Sequence, residues 1–383
     1  MKKIALIGST GSIGTQVINV ALKYADKFEI ISLSGGYNSR AFLEQVNKLK
    51  PKVACFSGKL SNKEINALPK ETEYFFGEDA YLNGIIEEAD IVVVALVGFI
   101  GVKAVLKAAS MKKDIALSNK ECLVVAGDLV MNSIKDNGVR LSPIDSEHSA
   151  VWQALNFGQI KDYNKIILTA SGGALREIPI EKLPFVTAKE ALKHPTWNMG
   201  NKITIDCATM MNKGFEVMEA MRLFNATLDK IDVIIHPESI IHSMVEFNDG
   251  SVLAQMSYPT MEVPIALSLT YPERLTGVVK PLDFASLKSL SFKAVDHNRY
   301  PCFDLALDSA KKDGNYPCAL NAANEIAVSE FLKGNIAYNK IEQTIACVLD
   351  KTKYVKITNY DLLLEQDLLA REMALKYIGE HNA

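Results

Sequence analysis

The stretch "IGSTGSIGTQVI", residues 7 to 18, decides how this chain is read. It follows the apolar run "KKIAL" and leads into a helical pattern, with glycines at 8, 11 and 14. Glycines at a strand-to-helix junction permit a tight turn and close backbone approach, so a pyrophosphate can lie against the free N–H groups of the helix start. The spacing G-x-x-G-x-x-G is looser than G-x-G-x-x-G, and a Gly-rich turn without a ligand is the competing reading. Its setting favours the nucleotide. "FEIISLSG", "KVACFS", "DIVVVALVG", "DIALSN" and "VRLSPID" read as further strands, with "AFLEQVNKLK" and "GVKAVLKAAS" as helices among them. This alternation predicts an α/β domain over residues 1–145, a doubly wound, Rossmann-like parallel sheet with helices on both faces. Ligands of such sheets bind at the carboxyl ends of the strands.

Beyond this domain the texture changes. From 146 to 270 an α+β segment holds "KIILTA", the turn "SGGALRE", the helix "ATMMNKGFEVMEAMRLF" and the strands "IDVIIHP", "IIHSMVEF" and "SVLAQMS". The last two are joined by the hairpin signal "NDG". Residues 271–300 read as a linker, and 301–383 as a helical domain. Of the 383 residues, 48% are hydrophobic and 23% charged, ordinary for a soluble globular protein. A net charge of −3 makes no case for nucleic acid or an anionic membrane. Six scattered cysteines with no C-x-x-C pair speak against structural zinc and disulfides and for a reducing compartment. No segment approaches the ~20 apolar residues of a membrane span, so a cytoplasmic protein is expected.

Which nucleotide fits the turn depends on the end of the second strand. A carboxylate that would hold the ribose of NAD is missing from "ISLSGGYNSR". Asn38, Ser39 and Arg40 stand there instead and suit a 2′-phosphate, although Arg40 also reads as a plain helix-face charge. NADP is therefore favoured over NAD. At the same sheet edge, "LSNKECLV" ends a strand on Asn119, Lys120 and Glu121. "PIDSEHSA", residues 143 to 150, places Asp145 and Glu147 around Ser146. On an extended backbone both carboxylates face one way and repel unless a cation or proton lies between them. A solvent-screened acidic turn is the bland alternative. In "HPTWNMGNKITIDCATMMNKGFE", Asn212 and Glu216 share a helix face with Lys213 beside them, a set suited to a phosphorylated substrate near a metal or simply to a solvated surface. His194 and Trp197 lie in a Pro- and Gly-bounded segment able to close over a ligand, or Trp197 packs in a core.

"GSTGSIG", "NKE", "DSEH", "SGG", "HPTW.MG.K", "ATMMNKG", "HPESIIHSMV", "DGSVLAQ" and "ALNAANEIAV" follow in this order from residue 8 to 328. Together they closely resemble the 1-deoxy-D-xylulose 5-phosphate reductoisomerase family. The resemblance implies an NADPH- and metal-dependent enzyme that makes 2-C-methyl-D-erythritol 4-phosphate for isoprenoid synthesis, through a skeletal rearrangement to an aldehyde followed by hydride reduction. It implies that Asp145, Glu147 and Glu216 ligate one divalent cation, and all-oxygen ligands favour Mg²⁺ or Mn²⁺. Lys120 and Ser146 would contact the substrate backbone. Ser171, Asn212 and Lys213 would form the phosphate pocket, with His194 on a mobile lid and Trp197 over the substrate. Thr10, Gly11, Ser12, Ile13, Gly36, Tyr37, Asn38, Asn119, Glu121 and Gly200 fall at cofactor positions. A homodimer is expected from the family.

Two departures stand out. Tyr37 replaces a residue that is often basic, and Cys207 replaces a hydroxyl expected at the phosphate, with Phe215 where the family pattern has leucine. A small buried thiol is the other reading of Cys207. An NADP-dependent reductase of another sugar phosphate is the main alternative. A cofactor-binding regulator ranks last, because it has no need of the three carboxylates.

Overall fold

The computed structural model describes all residues except Phe157, Asn198, Lys288, Asn382 and Ala383. Asn198, inside the expected lid motif, therefore lies outside the described residues. The chain divides into two compact units. The first comprises Met1–Cys122, Val130–Ser149 and Thr260–Lys280. Its sheet is built from β1 (Lys2–Ile7), β2 (Phe28–Gly35), β3 (Val53–Phe56), β4 (Glu73–Phe76), β5 (Ile91–Val94), β6 (Asp114–Leu117) and β7 (Leu141–Pro143). The order is β4-β3-β2-β1-β5-β6-β7 and every pairing is parallel. The expected doubly wound α/β sheet is present, with its strand order reversing between the parallel neighbours β1 and β5. That reversal is where such sheets open a crevice.

The central strands are apolar on both faces because helices cover both, and the consecutive Ile4, Ala5, Leu6 and Ile7 are all fully buried. The helix Ser12–Lys23 presents Val17, Ile18, Val20 and Ala21 to this core. Truncating one such large side chain to alanine costs about 2–5 kcal/mol. Strand β4 has no counterpart in the sequence reading. It is four residues long, at the sheet edge and only partly buried, so neither length nor alternation announces it.

The units do not follow the consecutive segments expected from sequence. Thr260–Lys280 belongs to the first unit, although 260–270 reads as part of the middle segment and 271–280 as linker. The cause is the apolar helix Glu262–Thr270, whose Ile265, Ala266 and Leu269 join the first core. The Lys2 ammonium donates to Leu269 O at 2.7 Å, and Tyr24 Oη to Thr276 O at 3.0 Å.

The second unit comprises Leu123–Leu129, Ala150–Pro259 and Pro281–Ala383. It contains β8 (Lys165–Ala170), β9 (Ile231–Ile235), β10 (Ile241–Glu246), β11 (Val252–Met256) and β12 (Lys293–Ala294), in the order β11-β10-β8-β9-β12. Only β8 and β9 pair in parallel. Strand β12 lies inside the stretch expected as linker, and pairing with β9 gives that stretch a fixed place. The helices Pro301–Lys312, Tyr316–Leu332, Asn339–Lys351 and Tyr360–His381 bear out the helical C-terminal reading. The helix expected over "ATMMNKGFEVMEAMRLF" is Met211–Leu223, starting after Met210 takes a positive φ of 56°, and a further helix, Asn201–Ala208, precedes it over residues to which the sequence reading gave no element. The carboxylate motif is also corrected. Glu147 lies not on an extended strand but in the first turn of the helix Ser146–Ala154, and Asp145 directly precedes it.

Candidate functional site

The glycine turn after β1 is held by close backbone contact. Gly8 has φ +97°, and a Cβ there would lie 2.5 Å from Ala95 O. A Cβ on Gly14 would lie 2.2 Å from Gly8 O, so both positions exclude any side chain. Gly11 caps the helix Ser12–Lys23 without a side-chain bond, and no acidic residue stands in the first turn. The helix start thus offers N–H groups and no competing negative charge. Thr10 and Ile13 are half-buried, and Ser12 is exposed. At the end of β2, Gly36 is half-buried and Tyr37 is 95% exposed. Asn38 Oδ1 accepts from Ala41 N at 3.1 Å and caps the next helix. Arg40 pairs along that helix with Glu44 at 3.0 Å, the helix-face role that the sequence left open for it.

Asn119 is buried with its carboxamide committed to the fold. Its Nδ2 donates to Leu96 O at 3.0 Å and Gly98 O at 2.9 Å, and its Oδ1 accepts from Cys122 N at 3.0 Å. It therefore ties the loop after β5 to the start of the helix Glu121–Asn137, whose first residue, Glu121, is also buried.

The polar cluster at the end of β7 has its own geometry. Asp145 and Glu147 each offer a carboxylate oxygen, the two within 4.8 Å of each other. They meet because one precedes a helix and the other opens it, where the helix dipole favours negative charge. Ser146 Oγ donates to Glu147 Oε2 at 2.5 Å. The Lys120 ammonium lies 2.5 Å from Asp145 Oδ2, both side chains nearly buried. His148, fully buried, brings Nδ1 to 3.8 Å from the same oxygen, a neighbour the sequence quoted without a role.

In the second unit, Glu216 is 1% exposed on the helix Met211–Leu223. Asn212 Nδ2 donates to its Oε1 at 2.5 Å, and Lys213 pairs with its Oε2 and also donates to Thr169 O at 2.5 Å. The solvated-surface reading fails here, because all three side chains are buried. The turn after β8 carries Ser171, whose Oγ meets His194 Nε2 at 3.0 Å and accepts from Gly173 N at 3.2 Å. His194 Nδ1 accepts from Thr196 N at 3.2 Å and Trp197 N at 3.0 Å. Two N–H donors leave that nitrogen unprotonated, so Nε2 carries the proton and donates to Ser171. Burial, and then the nearby Arg176 guanidinium, lowers the His194 pKa to about 4, which keeps the ring neutral at neutral pH. Arg176 also donates to Ser171 O at 3.1 Å.

Trp197 is half-buried, its ring centroid 6.3 Å from that of His242. His242 in turn meets Ser257 Oγ at 2.9 Å. Neither Arg176 nor His242 is singled out in the sequence, although both lie in motifs quoted above. Cys207 is partly buried near the end of the helix Asn201–Ala208, and Gly200 caps the start of that helix. A Cβ on Gly173 would lie 2.4 Å from Cys207 O, so the "SGG" turn rests directly on this helix end.

Three family profiles match the chain. They are 1-deoxy-D-xylulose 5-phosphate reductoisomerase over residues 4–127, its C-terminal domain over 141–224, and the DXP reductoisomerase C-terminal domain over 256–373. The reductoisomerase of Pelotomaculum thermopropionicum is 46% identical, with 99% of each chain covered. That of Geobacter metallireducens is 44% identical over 99% of this chain and 100% of its own. Among solved structures, the Zymomonas mobilis reductoisomerase in complex with NADPH is 36% identical with a TM-score of 0.91, covering 98% of this chain and 99% of its own. A DOX-P reductoisomerase in complex with NADPH, fosmidomycin and magnesium is 35% identical with a TM-score of 0.93, covering 99% and 98%. Among the described residues no helix is long and apolar enough to cross a membrane.

Proposed function

The chain belongs to the 1-deoxy-D-xylulose 5-phosphate reductoisomerase family, and we infer from this premise that it converts 1-deoxy-D-xylulose 5-phosphate to 2-C-methyl-D-erythritol 4-phosphate with NADPH and a divalent cation. The observation that carries the reading is the buried trio Asn212, Lys213 and Glu216 on one helix. An amide, an ammonium and a carboxylate are desolvated together there, a costly arrangement that a plain apolar core does without. Asp145, Glu147 and Glu216 hold the cation in this reading. Their oxygen-only donor set fits Mg²⁺ or Mn²⁺. A cation held there would supply Lewis-acid polarisation of the substrate, and NADPH would supply the hydride.

The chain's own residues do the rest. Lys120 fixes the Asp145 carboxylate and brings positive charge beside the substrate oxygens. Ser146 orients Glu147. Neutral His194 donates to Ser171 Oγ, which turns the serine's own proton outward toward a phosphate oxygen. Lys213 and Asn212 complete that pocket, and Trp197 covers the substrate and excludes water. Thr10 to Ile13 seat the pyrophosphate, and Gly36 to Asn38 face the adenosine ribose. Asn119, Glu121 and Gly200 shape the remaining cofactor contacts, Asn119 by fixing the loop after β5. The enzyme works in the cytoplasm as a homodimer.

The test mixes protein, Mn²⁺, NADPH and 1-deoxy-D-xylulose 5-phosphate, follows nicotinamide absorbance, and identifies the product by mass and NMR. A branched 2-C-methyl skeleton is expected. Reduction with the linear skeleton retained would make the protein a plain sugar-phosphate reductase, and no NADPH consumption would overturn the reading altogether.

A further inference from the structure

The chain from Arg299 onward contributes no residue to the site as described, yet it holds the site's backbone. Tyr300 immediately precedes the helix Pro301–Lys312, and its buried hydroxyl donates to Gly172 O at 2.9 Å. Tyr338 immediately precedes the helix Asn339–Lys351, and its buried hydroxyl donates to Ala208 O at 2.9 Å. These two carbonyls belong to surfaces in contact. Gly172 and Gly173, at φ +79° and +72°, form the turn beside Ser171, and Gly173 presses on the backbone of Cys207 and Ala208. Arg299, next to Tyr300, donates to Leu175 O at 3.1 Å and Ile178 O at 2.7 Å, bracing the continuation of the same turn.

We propose that Tyr300 and Tyr338 are positioning residues for the substrate-phosphate subsite: each fixes one wall of the junction between the "SGG" turn and the helix Asn201–Ala208. The argument is mechanical. Two consecutive left-handed glycines have wide conformational freedom, so the direction of Ser171 Oγ depends on what else holds the turn. A buried hydroxyl-to-carbonyl bond is a stiff tether, because a carbonyl left alone in that place carries its full desolvation penalty. The inference rests on the reading of Ser171 as a phosphate contact.

Three tyrosine-to-phenylalanine variants test it, since each removes one oxygen and keeps the ring. Tyr316→Phe serves as the control, because its hydroxyl donates to Thr352 O at 2.9 Å between C-terminal elements. Each variant is assayed as the full enzyme for KM, kcat, NADPH Kd and Tm. Tyr300→Phe and Tyr338→Phe should each raise the KM for 1-deoxy-D-xylulose 5-phosphate about five- to tenfold, by loss of a buried bond, with kcat within about twofold. NADPH Kd should stay unchanged, and Tyr316→Phe should lower Tm without moving KM. If one test variant fails to fold, the other carries the measurement. A lower Tm with unchanged KM, or KM and NADPH Kd rising together, would overturn the proposal. Absence of turnover in the wild-type enzyme would instead remove the parent reading.

Discussion

Two glycine turns serve this protein, and they are held in different ways. The turn at Gly8–Gly14 is braced by its own unit's sheet: Gly8 N donates to Ser34 O at 3.1 Å, and Ala95 packs against Gly8. Its partners are the strands that flank β1, and the turn is legible because strand, glycines and helix are contiguous. The turn at Gly172–Gly173 is braced by Tyr300, 128 positions later. Nothing near "SGG" in sequence announces that tether. A turn supported by its own sheet survives changes elsewhere, whereas one supported by distant side chains can be loosened without touching it.

The comparison is most severely tested at the carboxylates, one set in each unit. Asp145→Asn or Glu216→Gln should abolish turnover while NADPH still binds, since neither lies in the glycine turn. Full activity in chelator-treated wild-type protein would refute metal dependence. Next in size is Gly14→Ala, whose methyl would meet backbone at 2.2 Å. Overpacking of this kind costs about 1–3 kcal/mol, so NADPH affinity should fall about tenfold or more, with Tm lowered as well. An unchanged Kd would mean that the turn does not seat the cofactor.

Cofactor choice sharpens the first turn further. With no carboxylate after β2, kcat/KM for NADPH should exceed that for NADH by at least about tenfold. Equal values would remove Asn38 and Ser39 from 2′-phosphate recognition. Arg40, paired with Glu44, is expected to matter least.

A smaller effect belongs to Cys207. A thiol is a weak donor, so Cys207→Ser should lower the substrate KM several-fold with little change in kcat. A lower Tm with constant KM would show that the residue only packs. The smallest effect is an expected constancy. His194 has its pKa lowered to about 4 against an ordinary 6.5, by burial and then by Arg176. The unfolded chain therefore takes up the proton first as pH falls, and the stability tied to neutral His194 is whole above about pH 6.5 and lost as pH falls toward 4. Imidazole nitrogen NMR should show one neutral tautomer, protonated at Nε2, from pH 6 to 8. A midpoint near 6.5 would break the Thr196 and Trp197 contacts as drawn.

Much of this was open to a reader of the chain alone. The strands "KKIALI" and "IVVV" are legible because helices cover both faces of the sheet and demand unbroken apolar runs. Strand β4, "EYFF", is not, because a short edge strand owes its existence to its neighbour. The helix boundary at Met210 carries no glycine to mark it. Asp145 and Glu147 were visible as a pair, but their approach comes from a helix start rather than the extended backbone their alternation suggests.

Local pattern was enough to place the glycine turn between a strand and a helix and to give most of the order of strands and helices, since apolar periodicity and turn residues are read from neighbours a few positions away. Tertiary folding alone settled that Lys213 donates to Thr169, that Asn119 is spent on the loop after β5, and that Tyr300 holds Gly172. Those contacts join residues 21 to 128 positions apart. A buried polar group accepts whichever partner the packed chain brings within about 3 Å, and no local pattern of residue types specifies which one that is.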